Sequence, residues 1–193
     1  MGKVKPTYVI LAFLLVLAIW FIAGVWASMS TEQLNYDVIE ELGDGVELRQ
    51  YQNSTFISAK AKDSNSGFRI LSGYIFGNNK EDIKISMTAP VISQQEEDML
   101  QMSFVLPSDY DSDNAPLPVD ESISIHEVAS RKLLVVTFSG FVSNSKIESR
   151  TVILEEKIQK NNINKKGDFF IMRYDPPWVL PMFRRNELAV EVE

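Results

Sequence analysis

The sequence predicts an α+β domain, an antiparallel sheet carrying two helices, behind one apolar N-terminal segment. Three observations predict it. Short runs alternate apolar and polar residues at the period of two expected of strands. Two stretches break that rhythm and take the helical period instead. The order strand, strand, helix, strand, strand occurs twice, once from Val46 to Leu106 and again from Ile123 to Val192.

Residues 8–27 contain no charged side chain. Twenty residues in a helix span about 30 Å, the thickness of a hydrocarbon core. The stretch therefore predicts a single transmembrane helix. Lys3 and Lys5 precede it, so residues 1–7 are expected in the cytoplasm and the domain outside, at the cell membrane. Trp20 and Trp26 suit an interfacial aromatic belt. The competing reading is a cleaved signal peptide with Val25-Trp26-Ala27 at its cleavage site. The apolar stretch is longer than the usual signal core of about 7–15 residues, which favours the anchor. Both readings export the domain. The chain has no cysteine, which excludes a lipidated cysteine, a thiolate metal site and a disulfide framework.

Residues 28–35 read as a polar linker and 36–193 as one domain. With Lys3 and Lys5 set aside, 17 basic side chains face 26 acidic ones, a balance of −9. That disfavours nucleic acid and anionic lipid as partners. A monomer is expected.

Tyr36 to Leu42 and Val46 to Tyr51 are two strands around Gly43-Asp44-Gly45, a hairpin signal. Thr55 to Lys62 is a third. Over 64–77 the period changes: Phe68, Leu71 and Ile75 share one helix face, Ser64 or Ser66 caps the start, and Gly77 ends it. Strands follow at 83–92 and 100–106, then an Asp-, Ser- and Pro-rich loop over 108–121. Ile123 to Val128 alternates, and Lys132 to Gly140 is a more continuously apolar run. The second helix spans 145–160, with Ser145 and Glu148 as a capping box and Ile147, Thr151, Leu154 and Ile158 as its inner stripe. Two strands, 168–174 and 187–192, close the chain. Between them Pro176, Pro177 and Pro181 fix φ and remove three amide donors, so residues 174–187 form a stiff lid.

The repeat has a period. Val46 lies 77 residues before Ile123, and Phe56-Ile57 lies 77 before Leu133-Leu134. A doubled unit of this kind is expected to leave a cleft between its halves, with the proline lid closing one end.

Four stretches carry a resemblance to a known family. They are Tyr36-Asp37-Val38-Ile39-Glu40-Glu41 with Val46-Glu47-Leu48-Arg49; Tyr74-Ile75-Phe76-Gly77-Asn78-Asn79 leading into Met87-Thr88-Ala89-Pro90-Val91; Phe104-Val105-Leu106-Pro107 with Pro116 to Ile125; and Tyr174-Asp175-Pro176-Pro177 with Arg184-Arg185-Asn186-Glu187. In these the chain resembles the SOUL heme-binding protein family. The resemblance implies a distorted eight-stranded antiparallel barrel flanked by two helices and built from a doubled ββαββ unit. It also implies binding of heme or another tetrapyrrole. The expected protein is a non-enzymatic binder of such a ligand or of another apolar planar molecule. The binding surface it implies is Phe68, Arg69, Leu71, Ser72 and Ile75 on the first helix with Trp178 and Val179 in the lid. The chain departs from the family pattern at Ser72-Gly73, where a methionine and a lysine are expected, and at Val179-Leu180, where a lysine is expected, which leaves Arg69, Arg184 and Arg185 to meet ligand carboxylates.

Other residues have competing readings. His126, the single histidine, is a strand histidine or an iron ligand. Met87, Met172 and Met182 are packing residues before they are ligands. Arg184, Arg185 and Glu187 form a salt-bridge network, a clamp for a ligand carboxylate, or, through Glu187, the general base of a hydrolase or lyase. Asp109, Asp111, Asp113 and Asp120 have part of a calcium-loop spacing, though Pro116 and Pro118 interrupt it. A further alternative is a scaffold that meets a protein partner through the lid, with its pocket vestigial.

Overall fold

The computed structural model describes residues 31–193, with Tyr8, Val9, Leu15 and Val16 ahead of them in helical conformation. Apart from those four positions, the expected membrane segment 8–27 lies outside the described residues, as do residues 1–7 and 28–30. Among the described residues no helix is long and apolar enough to cross a membrane.

Beside one turn of 3-10 helix at Pro181–Phe183, residues 31–193 hold eleven strands and two α-helices. They are β1 (Glu32–Gln33), β2 (Tyr36–Gly43), β3 (Val46–Tyr51), β4 (Ser54–Ala61), α1 (Ser64–Ile75), β5 (Thr88–Ala89), β6 (Val91–Glu96), β7 (Met99–Val105), β8 (Ile123–Val128), β9 (Arg131–Phe138), α2 (Asn144–Lys160), β10 (Lys165–Arg173) and β11 (Asn186–Val192). Nine strands form one antiparallel sheet in the order β2-β3-β9-β11-β10-β6-β7-β4-β8. The doubled unit is real: β3 and β8 begin 77 residues apart, at Val46 and Ile123, and so do β4 and β9, at Ser54 and Arg131.

The two units interlock. With β2 left out, the order reads the same from either edge: the first strand of one unit, then the second, fourth and third strands of the other. Each unit thus gives its first strand to its twin. The seam between halves is β10 against β6, where Met172 pairs with Ile92 and Arg173 with Val91.

The α+β layout with two helices is as expected, but the expected distorted eight-stranded barrel is not what the ladder shows. The sheet has nine strands and is open, with no pairing between its edge strands β2 and β8 among the described residues. The hairpin supplies the reason: β2 takes the outer backbone groups of β3, from Tyr36 opposite Tyr51 to Gly43 opposite Val46. Closure onto β8 would need those same groups.

Burial follows the pleat. Leu133 and Val135 of β9 enter a central cluster with Tyr51, Phe56, Phe170, Met172, Tyr174 and Ala189. Leu134, Val136 and Phe138 face the other way, under Leu154 and Ile158 of α2. Both faces of β9 are covered, which accounts for its continuous apolar run. Under α1 the matching layer holds Ile57, Ala59, Met102, Phe104 and Ile123. The central cluster draws on both halves and fills the space expected to be a cleft.

Three local expectations change. The cap of α1 is Asp63, whose carboxylate accepts the Ser66 amide at 2.9 Å, not Ser64 or Ser66. The cap of α2 is Ser143, which accepts the Lys146 amide, two residues before the expected Ser145. The C-terminus of α1 does end at Gly77, which sits at φ 109°. There the Asn78 amide reaches Gly73 O at 3.0 Å and the Gly77 amide reaches Tyr74 O at 3.2 Å. Lastly, the linker ends sooner than expected. Glu32 and Gln33 already form a parallel pair with Thr88 and Ala89, and the 83–92 run divides around Pro90 into β5 and β6.

Candidate functional site

Helix α1 turns its Gly67, Leu71, Tyr74 and Ile75 face to the sheet. Leu71 is 0% exposed and Ile75 also lies in the core beneath α1. Neither can present surface to a ligand, which corrects their place in the expected binding surface. The reason is the helical period: adding Gly67 and Tyr74 to Leu71 and Ile75 centres the buried arc past Phe68. Phe68 falls on the arc's margin, 43% exposed, with its ring 5.3 Å from Phe104. Arg69 is exposed and Ser72 half-buried, its hydroxyl donating to Arg69 O at 3.2 Å.

The lid is held from inside. The Val179 amide donates to Pro176 O at 3.1 Å, and Pro181–Phe183 forms one turn of 3-10 helix. Arg184 ties these turns together, donating from Nε to Val179 O at 2.7 Å and from Nη2 to Pro177 O. The Gly140 amide donates to Pro181 O at 2.8 Å, which docks the lid on the β9–α2 connection. The Arg184 guanidinium stands 5.5 Å from the Phe141 ring. Trp178 is 55% exposed and Val179 half-buried.

Beneath the lid Glu187 is fully buried. Arg49 Nη1 lies 3.0 Å from each of its carboxylate oxygens. Arg185 reaches Oε1 through Nε at 2.8 Å and Nη2 at 2.7 Å. Tyr174 donates its phenol to Oε2 at 3.0 Å, and Thr137 donates to Oε1 at 3.3 Å. Arg49 also donates to Tyr51 and Glu47, and Arg185 to Tyr36. Burial opposes the charge on Arg49, yet Glu187 and the Tyr51 phenol outweigh it and the pKa rises. Burial first, then the Glu187 charge, pushes Tyr51 up to about 12. The same two causes raise Tyr174. Of the three readings for Arg184, Arg185 and Glu187, the geometry builds the salt-bridge network. Arg185 holds Glu187, Arg184 holds the lid backbone, and the Glu187 oxygens already accept from four side chains. A buried base with no free lone pair has poor means of taking a substrate proton.

A separate cavity of about 320 Å³ is lined by β1 and the residues that follow it. Its lining includes Glu32, Asp111, Glu127, Thr55, Tyr110 and Leu106, with no Lys or Arg. Three carboxylates and no cation make it a poor host for a ligand that itself carries carboxylates.

The remaining candidates have partners within the fold. His126 lies on edge strand β8 opposite Phe56, its ring stacked at 6.1 Å on that residue of the central cluster. Ile123 and Ile125 face α1, so His126 points away from the helix that carries Phe68. Burial, then Arg131, lowers its pKa. Asp111 caps its own loop, accepting the Asp113 and Asn114 amides at 2.9 Å, and Asp120 accepts from Ser122. Among the described residues no group of three or more His, Asp or Glu could hold a metal ion. Met172 is core, Met87 packs on the layer beneath α1, and Met182 is exposed in the lid.

Arg49, Tyr51, Tyr36 and Thr137 are the residues that sequence reasoning missed. On β3 the polar face Glu47-Arg49-Tyr51 alternates with Val46 and Leu48, and alternation alone does not say whether that face is enclosed.

Comparison with known proteins agrees with this architecture. A family model described as SOUL heme-binding protein matches residues 31–191. Heme-binding protein 2 of Mus musculus is 28% identical over 156 residues, covering 74% of this chain and 75% of that protein. Heme-binding protein 2 of Homo sapiens is 26% identical over 179 residues, covering 84% and 86%. Among solved structures, the EcmrR C-terminal domain superposes with a TM-score of 0.57 at 12% identity, covering 82% of this chain and 98% of that one. A hydrolase from Listeria innocua superposes at 0.52 with 9% identity, covering 77% and 91%. At such identities the two structures share the fold.

Proposed function

The chain belongs to the SOUL heme-binding protein family, and on that premise we propose that it binds heme or a related tetrapyrrole, without catalysis, on the outer side of a membrane that residues 8–27 span. One observation carries the binding reading. Phe68 on α1 and Trp178 in the lid, on the two elements that the resemblance assigns to the ligand, keep their rings 43% and 55% exposed. A flat macrocycle gains by covering such rings, and stacked aromatic pairs add about 0.5–1.5 kcal/mol beyond area burial. Arg69, next to Phe68 on α1, is exposed and is the cation that this helix offers a propionate. Arg184 and Arg185 are already engaged, so the surface is shaped for apolar contact more than for charge. The hydrolase or lyase alternative needs Glu187 free, and its oxygens are taken. The membrane reading rests on the uncharged stretch 8–27 and the lysines ahead of it.

The test is a heme titration of residues 31–193, in which Trp178 is the single tryptophan. Saturable one-to-one binding with quenching of Trp178, weakened about tenfold (roughly 1.4 kcal/mol) by Phe68→Ala or Trp178→Ala, is expected. Absence of saturation at micromolar heme, or binding that both variants leave unchanged, overturns the reading. Resistance to alkaline carbonate extraction tests the anchor separately.

A further inference from the structure

The lid and the connection it docks on expose more apolar side chain than one ligand contact requires. Met182 is 66% exposed and Trp178 55%, and Phe141, held 5.5 Å from Arg184 on the neighbouring connection, is 67% exposed. Residues 176–185 contain two arginines and no acidic side chain, in a domain whose other charges sum strongly negative. A rigid loop of Trp, Met and Phe with arginine at its base has the chemistry of a lipid–water interface.

Its position in the chain says what covers it. Arg185 Nη1 lies 3.4 Å from Gln33 Oε1, so the base of the lid touches the point where the chain enters the domain. From Ala27, the end of the apolar stretch, to Gln33 is six residues, a reach of at most about 21 Å even when fully extended. Arg184 in turn holds Pro177 and Val179, so the lid's tip is one side chain from its base. A short tether also raises the effective concentration of the lid at the surface, so a weak apolar contact suffices.

We propose that the lid is a second membrane contact: Trp178, Met182 and Phe141 rest in the zwitterionic interface of the bilayer that holds residues 8–27. This rests on the anchored reading above. It turns the Trp178 side of the domain toward lipid, where an apolar planar ligand dissolved in the bilayer would meet the lid without crossing water.

The experiment uses the full chain with Trp20→Phe and Trp26→Phe, which leaves Trp178 as the one tryptophan, excited at its red edge apart from the tyrosines. The chain is reconstituted into phosphatidylcholine vesicles with brominated acyl chains. The expected result is blue-shifted Trp178 emission, quenched at least twofold by shallow bromines and shielded several-fold from aqueous acrylamide. Met182→Asp and Phe141→Asp should each restore acrylamide access while far-ultraviolet circular dichroism stays unchanged. A chain that resists carbonate extraction but shows no bromolipid quenching overturns the proposal and leaves the anchor intact. Shielding that grows with protein density and without bromolipid quenching also overturns it, in favour of a second copy on the lid. Extraction by carbonate removes the anchor, and the proposal falls with it.

Discussion

Arg49 and Glu187, 138 residues apart in the chain, place one guanidinium nitrogen 3.0 Å from both oxygens of a fully buried carboxylate. The pair crosses the swap: β3 belongs to the first repeat and β11 to the second, with β9 between them. The ion pair therefore exists only after the units exchange strands.

Removing one member leaves a buried charge without its partner. Arg49→Met should cost about 3–5 kcal/mol of unfolding free energy, read as a fall in the urea midpoint at unchanged slope. Glu187→Gln keeps acceptor geometry but strands two guanidinium groups, and the same scale of loss is expected. A midpoint within 1 M of the parent in both variants would sink the account of the cluster.

Tyr174→Phe deletes the phenol that donates to Glu187 Oε2. The carboxylate then lacks one of its donors in a dry site, a loss of about 1–3 kcal/mol. Tyr74→Phe should behave alike by a different route, since its phenol donates to Pro116 O at 2.6 Å and pins the 107–121 loop over α1. Thermal melts of the two variants check both.

The helix caps give a comparison of sequence and structure. Asp63→Ala and Ser143→Ala should each cost about 1 kcal/mol, because each removes the side chain that receives a first-turn amide. Ser145→Ala, at the position that the capping-box pattern favoured, lies inside the helix and should stay within about 0.5 kcal/mol of the parent.

His126 makes stability depend on pH. Its pKa in the folded chain is lowered by burial and then by Arg131. The unfolded chain therefore binds the proton more tightly, so the full stability is present above the unfolded value near 6.5 and is lost as pH falls toward the folded one. His126→Gln should flatten this part of the acid limb. Urea midpoints at pH 7.5 and 5.5 should differ less in the variant than in the parent, and an equal difference would count against it.

Leu71→Ala and Phe68→Ala separate packing from binding. Leu71 is sealed under α1 and should cost about 2–5 kcal/mol. Phe68 is half open, so its truncation should cost little stability and act on heme affinity instead. Differential scanning calorimetry beside the titration distinguishes the two.

The sequence by itself determined the elements. Alternation located the strands, because a side chain's face on a pleat follows from parity alone. The recurrence of Val46 at Ile123 and of Phe56 at Leu133 revealed the doubled unit before any contact was known. Gly77 announced the end of α1, since the backbone there needs a positive φ. The tertiary structure decided everything that depends on a distant partner. Leu71 and Ile75 were assigned to a ligand surface by the family resemblance, and periodicity could not correct that, because it reports that a face is apolar, not what covers it. Arg49 and Tyr51 drew no assignment because an alternating strand does not disclose whether its polar face is also enclosed. Arg184 and Arg185 are adjacent in sequence, yet one serves the lid backbone and the other a buried acid, because successive side chains leave the chain in opposite directions. The open ninth strand has the same origin: the hairpin was legible, but its occupation of the edge that closure requires is a fact of register between strands, and register is settled only when the sheet assembles.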